Sequence, residues 1–220
     1  MDTGDATIAI FGMGRVGAGA YEKMCELRGD TVVGVDFDAE RVRQLRQQGL
    51  NVMRGDPSDA DFWELVERVP SIDLVMLALP TLTANLEALG QLREIGFNRM
   101  SLGVQDFDPR VQKAVNRIQT AEQTFGALNA ARREGFRSIS MDLIYGLPLQ
   151  TPDHIRRDIE EIKQLRPERI AFYSYAHVPW IKGNGQRGFS EEDLPTADQK
   201  REQYETGKEL LLKAGYVEIG

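Results

Sequence analysis

The sequence predicts an α/β protein organised on a parallel sheet, and three observations carry that prediction. Short apolar runs alternate with stretches of helical periodicity along the whole chain. The first run ends in Gly12-Met13-Gly14-Arg15-Val16-Gly17, the glycine turn of a dinucleotide-binding strand–helix unit. The second ends in Asp36, about 20 residues beyond the glycines, where a carboxylate reaches a ribose hydroxyl pair. In such a unit the first glycine permits a tight turn, the second lets backbone approach a pyrophosphate and the third lets helix pack on strand, while the helix N-terminus offers N–H groups to phosphates. The alternative is that the glycines make a tight turn and the site holds nothing.

The elements follow in order. Residues 8–11 and 32–36 are the first two strands, joined by a helical pattern. Asp38 caps an exposed helix that stops at Gly49. Residues 50–53 form a short third strand, followed by Arg54-Gly55-Asp56-Pro57, and Ser58 or Asp59 caps a helix over 60–69. The unbroken apolar run 72–79 suits a strand buried on both faces of a parallel sheet. Pro80 ends it, and 81–95 is helical. A fifth strand spans 99–105, with helices at 109–116 and 121–134 behind it. A sixth strand, 138–145, is broken by Gly146-Leu147-Pro148, and Thr151 caps a helix with Pro152 at its first position. Residues 169–175 are a seventh strand, 177–196 a surface loop, 197–214 the last helix and 216–219 an eighth strand. Right-handed crossovers throughout predict a single mostly parallel sheet of about eight strands, a Rossmann-like half of order 3-2-1-4 continued by a half-barrel-derived segment 5-6-7-8. The domains are 1–95 and 96–220, packed as one continuous domain.

Composition bounds the function. Of 220 residues, 41% are hydrophobic and 28% charged, an ordinary globular balance. No apolar run approaches the roughly 20 residues of a membrane span and no secretion signal opens the chain, so no membrane partner and a cytoplasmic location are expected. The net charge of −7 argues against a nucleic-acid partner. All of it belongs to the first half: residues 1–95 carry nine basic and sixteen acidic side chains, residues 96–220 eighteen of each. The one cysteine, Cys25, excludes an internal disulfide or a cysteine metal site. His154 and His177 make no metal constellation. The stretch 183–188 is rich in glycine but lacks the ending of a phosphate loop. Asp106 with Asp108, and Glu160 with Glu161, read as turn and solvated helix charges. Trp63 is expected to pack its helix on the sheet, and Met76 and Met100 to fill core.

Two resemblances sharpen this. The glycine turn, Asp36, Gly55-Asp56 and Leu77-Ala78-Leu79-Pro80 make 6–93 resemble the nucleotide-binding regulatory domain of potassium channels and potassium-efflux systems. The resemblance implies that Gly12, Gly14, Arg15, Val16 and Gly17 hold phosphates, Asp36 the ribose, and that Asp56 lies by an adenine. The ligand is then NAD or an adenine nucleotide such as ATP or AMP, since Asp36 repels the 2′-phosphate of NADP. From Ile95 onward, Gly96-Phe97-Asn98-Arg99-Met100-Ser101-Leu102-Gly103-Val104-Gln105-Asp106-Phe107, Asp142-Leu143-Ile144-Tyr145-Gly146-Leu147-Pro148 and Tyr175-Ala176-His177 are similar to oxygen-independent coproporphyrinogen III oxidase. That family is a radical S-adenosylmethionine (SAM) enzyme on a partial TIM-type barrel, and Gln105, Arg117, Asp142 and Ala176 match its SAM contacts.

The departures set the functional expectation. The family's three-cysteine cluster loop is missing, so no iron–sulfur cluster is expected. Two resemblances meeting within 81–95 predict an engineered chimera without catalytic activity, which keeps a small-molecule nucleotide site and uses self-association to cover an apolar sheet face. The alternatives are a scaffold with empty sites and an oxidoreductase related to coproporphyrinogen oxidase.

Overall fold

Residues 5–69, 71–178 and 189–219 are described by the computed structural model. Their contacts group into two units, Met1–Phe97 and Asn98–Gly220. The first unit runs β1 (Ile8–Phe11), α1 (Arg15–Arg28), β2 (Val32–Asp36), α2 (Ala39–Gln47), β3 (Val52–Arg54), α3 (Ala60–Glu67), β4 (Leu74–Leu77) and α4 (Leu82–Glu94). Its parallel sheet has the order β3-β2-β1-β4, with Ile8 in register with both Val32 and Leu74. Alternate side chains of the two inner strands feed opposite faces. Ala9, Phe11, Val33 and Val35 pack with Phe62, Trp63, Val66 and Leu92, whereas Ile8, Ile10 and Val32 pack with Tyr21, Val42 and Val52. Trp63 does pack its helix on the sheet, its ring meeting Phe11 edge-on at 5.7 Å. Asp38, Asp59 and Thr81 each accept first-turn N–H groups as helix caps.

The second unit runs β5 (Arg99–Gln105), α5 (Pro109–Ala114), α6 (Ala121–Arg133), β6 (Ser138–Tyr145), α7 (Pro152–Leu165), β7 (Arg169–Ser174), a short 3-10 turn and α8 (Ala197–Lys213). Its strands pair in parallel in the order β5-β6-β7. In β6 the buried Ile139, Met141 and Leu143 alternate with Ser140, Asp142 and Ile144, which are half-exposed. The buried face of α7 is Ile155, Ile159, Ile162 and Leu165, spaced as one stripe of a helix. A Cβ at Gly207 of α8 would meet the Phe172 ring at 2.5 Å, so the missing side chain is what lets that helix lie close to β7. Buried Gln203 accepts from the Gly146 N–H and donates to the Gln150 carbonyl, fastening α8 to the turn after β6.

The α/β class and the order 3-2-1-4 stand, but three details need correction. The described strands form two sheets, not one of eight strands: β4 pairs with β1, and β5 with β6. Handed crossovers fix where helices go, whereas pairing depends on long-range register that no local pattern carries. β4 is an edge strand with Leu74 43% exposed, not a strand buried on both faces, because an apolar run reports composition and not place in the sheet. Residues 216–219 form no strand. Tyr216 donates to the Pro167 carbonyl, Glu218 pairs with Lys208, and Val217 and Ile219 are exposed. The glycine-rich stretch 183–188 lies outside the described residues. Among those described, no helix is long and apolar enough to cross a membrane.

Candidate functional site

In the first unit the glycine turn has the geometry its spacing implies. Gly12 has φ +92°, and a Cβ there would meet the Ala78 carbonyl oxygen at 2.5 Å; a Cβ at Gly17 would overlap the Gly12 carbonyl. Gly14 is different: nothing lies within 4 Å of where its Cβ would be, so packing does not demand a glycine there and the backbone is open to a ligand. It is the N-cap of α1 without any capping side chain, and Arg15 and Val16 are exposed in the first turn. Asp36 departs from expectation. It is 3% exposed, and its carboxylate accepts from the N–H groups of Met13 (2.8 Å) and Asp38 (2.9 Å) and from Arg41 (3.0 Å). Three donors thus occupy most of its lone pairs, and it braces the glycine turn against α2. Asp56 is exposed beyond β3, where the backbone and side chain of Ser58 hydrogen-bond its carboxylate and lower its pKa. A cleft of about 260 Å³ lies against it, lined also by Phe37, Leu79 and Pro80 from the ends of β2 and β4.

In the second unit Gln105, Arg117 and Asp142 come together around Gly103. β5 shifts register between Gly103 and Gln105, and Gln105 leaves the strand with φ +72°. Arg117, just beyond α5, donates to the Gly103 carbonyl at 2.7 Å. A Cβ at Gly103 would lie 2.8 Å from both Arg117 Nη2 and Gln105 Nε2, so glycine leaves room for two polar heads to converge. Asp142 is the register partner of Gly103 and accepts from Ser101 Oγ at 3.0 Å. Although Arg117 is accessible to solvent, desolvation lowers its pKa and the charge of Asp142 opposes that shift. Ala176 is exposed two residues past β7. The result is an open sheet face with a guanidinium, a carboxylate and an amide around one glycine.

Sequence reasoning placed these residues but missed others. Asp106 is fully buried rather than a turn charge, and Asp158 of α7 is buried beside it. The signal for Asp158 was present: it falls on the same face as Ile155, Ile159 and Ile162, where a solvated acid does not belong. Neither His154 nor His177 joins a group of three or more potential metal ligands among the described residues. His154 is 5% exposed with Nε2 3.2 Å from Asp108, and His177 clusters with the Tyr175 and Phe189 rings.

The family model described as the Radical SAM superfamily matches residues 31–162, more than half of the chain. Oxygen-independent coproporphyrinogen III oxidase of Pseudomonas aeruginosa is 50% identical over 137 residues, 62% of this chain and 30% of that protein. The solved coproporphyrinogen III oxidase of Escherichia coli, a radical SAM enzyme, is similar with a TM-score of 0.63 and 26% identity, covering 98% of this chain and 54% of that one. The chain therefore spans about a third of the length of the curated relatives it matches. The solved TrkA-N domain of the inner-membrane protein YbaL from Escherichia coli has a TM-score of 0.29, which lends the potassium-regulator resemblance no support.

These findings overturn the expectation of a designed chimera without catalytic activity. The family match crosses residues 81–95, where a join was expected, and the relatives are enzymes. The expected absence of an iron–sulfur cluster is likewise corrected, because radical SAM enzymes bind a [4Fe–4S] cluster together with SAM. The two cofactors fit this chain differently. The polar cradle at Gly103 suits SAM. The cluster needs several cysteine thiolates, and the 220 residues hold one, Cys25 in α1; among the described residues no group of three or more potential ligands gathers for a metal. The residues of this chain do not by themselves fit the cluster. On the family match over residues 31–162, the chain belongs to the radical SAM superfamily.

Proposed function

We propose that the chain works in a radical SAM oxidoreductase of the oxygen-independent coproporphyrinogen III oxidase type, with the Asn98–Gly220 unit holding SAM. The observation that carries this is the convergence of Gln105, Arg117 and Asp142 on Gly103, in a chain 50% identical over 137 residues to such an oxidase. SAM presents a carboxylate, an ammonium group and a ribose diol. The Arg117 guanidinium suits the carboxylate, the Asp142 carboxylate suits the ammonium or diol, and the Gln105 amide donates and accepts. Ala176, without a polar side chain, adds surface at the β7 end. SAM supplies an activated sulfonium; the residues of this chain bind and orient it.

Calorimetric titration with SAM tests the reading. Wild type is expected to bind, and Arg117→Ala and Asp142→Ala each to lose about tenfold or more in affinity, roughly the 1.4 kcal/mol of one charged hydrogen bond. Absence of heat with wild type, or variants that bind like wild type, overturns it. The substrate proposed with this site is coproporphyrinogen III, checked by calorimetric titration of coproporphyrinogen III into the SAM-loaded protein. A cytoplasmic setting goes with this reading.

A second reading rests on the cleft at Asp56 and the uncapped N-terminus of α1. We propose that Gly12, Gly14, Arg15, Val16 and Gly17 seat the phosphates of NAD, ATP or AMP, with the adenine beside Asp56. Asp36 acts in it as a brace of the turn more than as a free ribose ligand. Titration with each nucleotide, repeated on Gly14→Asp, decides the matter: silent wild-type titrations dismiss the site.

A further inference from the structure

The turn that carries Gln105 out of β5 is backed by two buried acids. Asp106 is 0% exposed and Asp158 3%. Both oxygens of Asp106 already accept hydrogen bonds, Oδ1 from the Asp108 N–H at 2.6 Å and Oδ2 from Gln150 Nε2 at 2.7 Å. Asp158 Oδ1 accepts from the Phe107 N–H at 3.0 Å, so the two carboxyl groups hold the successive N–H groups of Phe107 and Asp108 and lie side by side. Two carboxyl groups in such contact, away from water, do not both ionise. The donors aimed at Asp106 make it the carboxylate of the pair. Asp158 is therefore the acid.

We propose that Asp158 keeps a proton that it donates to Asp106, and that this proton pins the turn over residues 105–108, making Asp158 a positioning residue for Gln105 in SAM binding. The role toward SAM rests on the function proposed above; the shared proton does not. Gln105 holds a left-handed φ of +72°, a conformation a non-glycine residue keeps only where its surroundings over-determine it. Here they do. Asp158 holds the Phe107 N–H, Asp106 holds the Asp108 N–H, and Gln112 Nε2 donates to the Asp106 carbonyl at 2.8 Å. Ionising the second acid would set two negative charges against each other with no room for water, and the turn would have to open.

The charged and titratable groups facing the pair come from two elements. Asp108, the N-cap of α5, lowers the pKa of Asp106 through its backbone N–H and raises it less through its charge, and its own carboxylate pairs with Arg110. From α7, His154 stabilises the Asp106 charge and Arg157 the Asp158 charge. The turn after β6 presents neutral Gln150. Burial is the largest influence on both acids. It raises Asp106 and, with the charge of Asp106 added, raises Asp158 well above the ordinary carboxylate range. The folded chain therefore binds this proton more tightly than the unfolded chain. The stabilisation is complete below the ordinary carboxylate pKa of about 4 and is lost as pH rises through the folded value.

The test combines denaturant unfolding and SAM calorimetry between pH 5 and 9 on wild type, Asp158→Asn and Asp158→Ala. An asparagine amide copies the protonated acid, accepting from Phe107 and donating to Asp106. Relative to Asp158→Asn, the wild-type folding constant is expected to fall with rising pH by up to about tenfold per pH unit, the limit for one proton. Wild-type SAM affinity should fall relative to that of Asp158→Asn over the same range, the comparison cancelling titration of the SAM ammonium itself, and Asp158→Ala should bind weakly at every pH, rescued by the asparagine. Identical stability profiles for wild type and Asp158→Asn overturn the shared proton. Asp158→Ala binding SAM as well as Asp158→Asn overturns the positioning role. If no form binds SAM, the SAM reading fails and the positioning role with it, while the stability profiles still decide the proton.

Discussion

Gly12 and Gly14 look equivalent in the sequence and are not equivalent in the fold. Gly12 needs its left-handed φ and has the Ala78 carbonyl where a Cβ would stand, so Gly12→Ala is expected to cost about 2–3 kcal/mol of stability. Gly14 has φ −70° and open space around it, so Gly14→Ala should stay within about 0.5 kcal/mol. Urea unfolding of both variants checks the contrast, and equal losses would refute it. The same scale shows what local patterns withhold. A glycine motif gave the turn, and the spacing placed Asp36 at the strand tip; that its carboxylate is engaged by the Met13 N–H and Arg41 emerges only when the chain closes. Asp106 likewise read as a loop charge because its burial is supplied by Gln150 and Asp158, which are distant in sequence.

At the scale of elements, start signals were legible in part. Asp38 and Asp59, marked as caps in the sequence, each accept a first-turn N–H with the side chain, while Thr151 bonds the His154 ring through its N–H and hydroxyl. Thr81, Thr120 and Thr196 cap their helices without having been marked, and Thr120 forms a reciprocal capping box with Gln123. Removing that cap with Thr120→Ala should destabilise the protein by about 1 kcal/mol in urea unfolding. Close approach of elements is decided elsewhere. Gly207 sits inside α8, where glycine is a poor helix former, because the Phe172 ring occupies the place of a Cβ. Gly207→Ala should therefore destabilise by about 1–3 kcal/mol despite its better helix propensity, measured the same way. Strand partners were legible within the first unit, in the order 3-2-1-4, but not beyond it, where β5, β6 and β7 form a separate sheet, and the strand expected at 216–219 did not form.

For the whole molecule, buried and capped acids shape the response to pH from both sides. Hydrogen bonds from Ser58 lower the pKa of Asp56. Burial of Asp108 pushes its pKa up, but hydrogen bonds from Arg110 and the charge of His154 outweigh that and leave it lowered. Their contribution is present above the ordinary carboxylate range and lost as pH falls through the lowered folded values. Asp158 acts with the opposite sign, so stability is expected to decline in both directions from a weakly acidic maximum. Urea midpoints from pH 3 to 9 check this, and Asp158→Asn should lift the high-pH arm alone. Bound SAM should add about 2.7 kcal/mol at a hundred times its dissociation constant, read as a rise in the same midpoint.

The sequence by itself determined the strand–helix alternation, the glycine turn and the caps at Asp38 and Asp59, because each depends on backbone sterics, periodicity or a short motif; Gln105, Arg117 and Asp142 were reached through the family resemblance. The tertiary structure decided which strands share a sheet, which acids are buried, and that Asp36 braces a turn. Those outcomes depend on hydrogen-bond partners and on the exclusion of water by residues distant in sequence, and no local pattern encodes either.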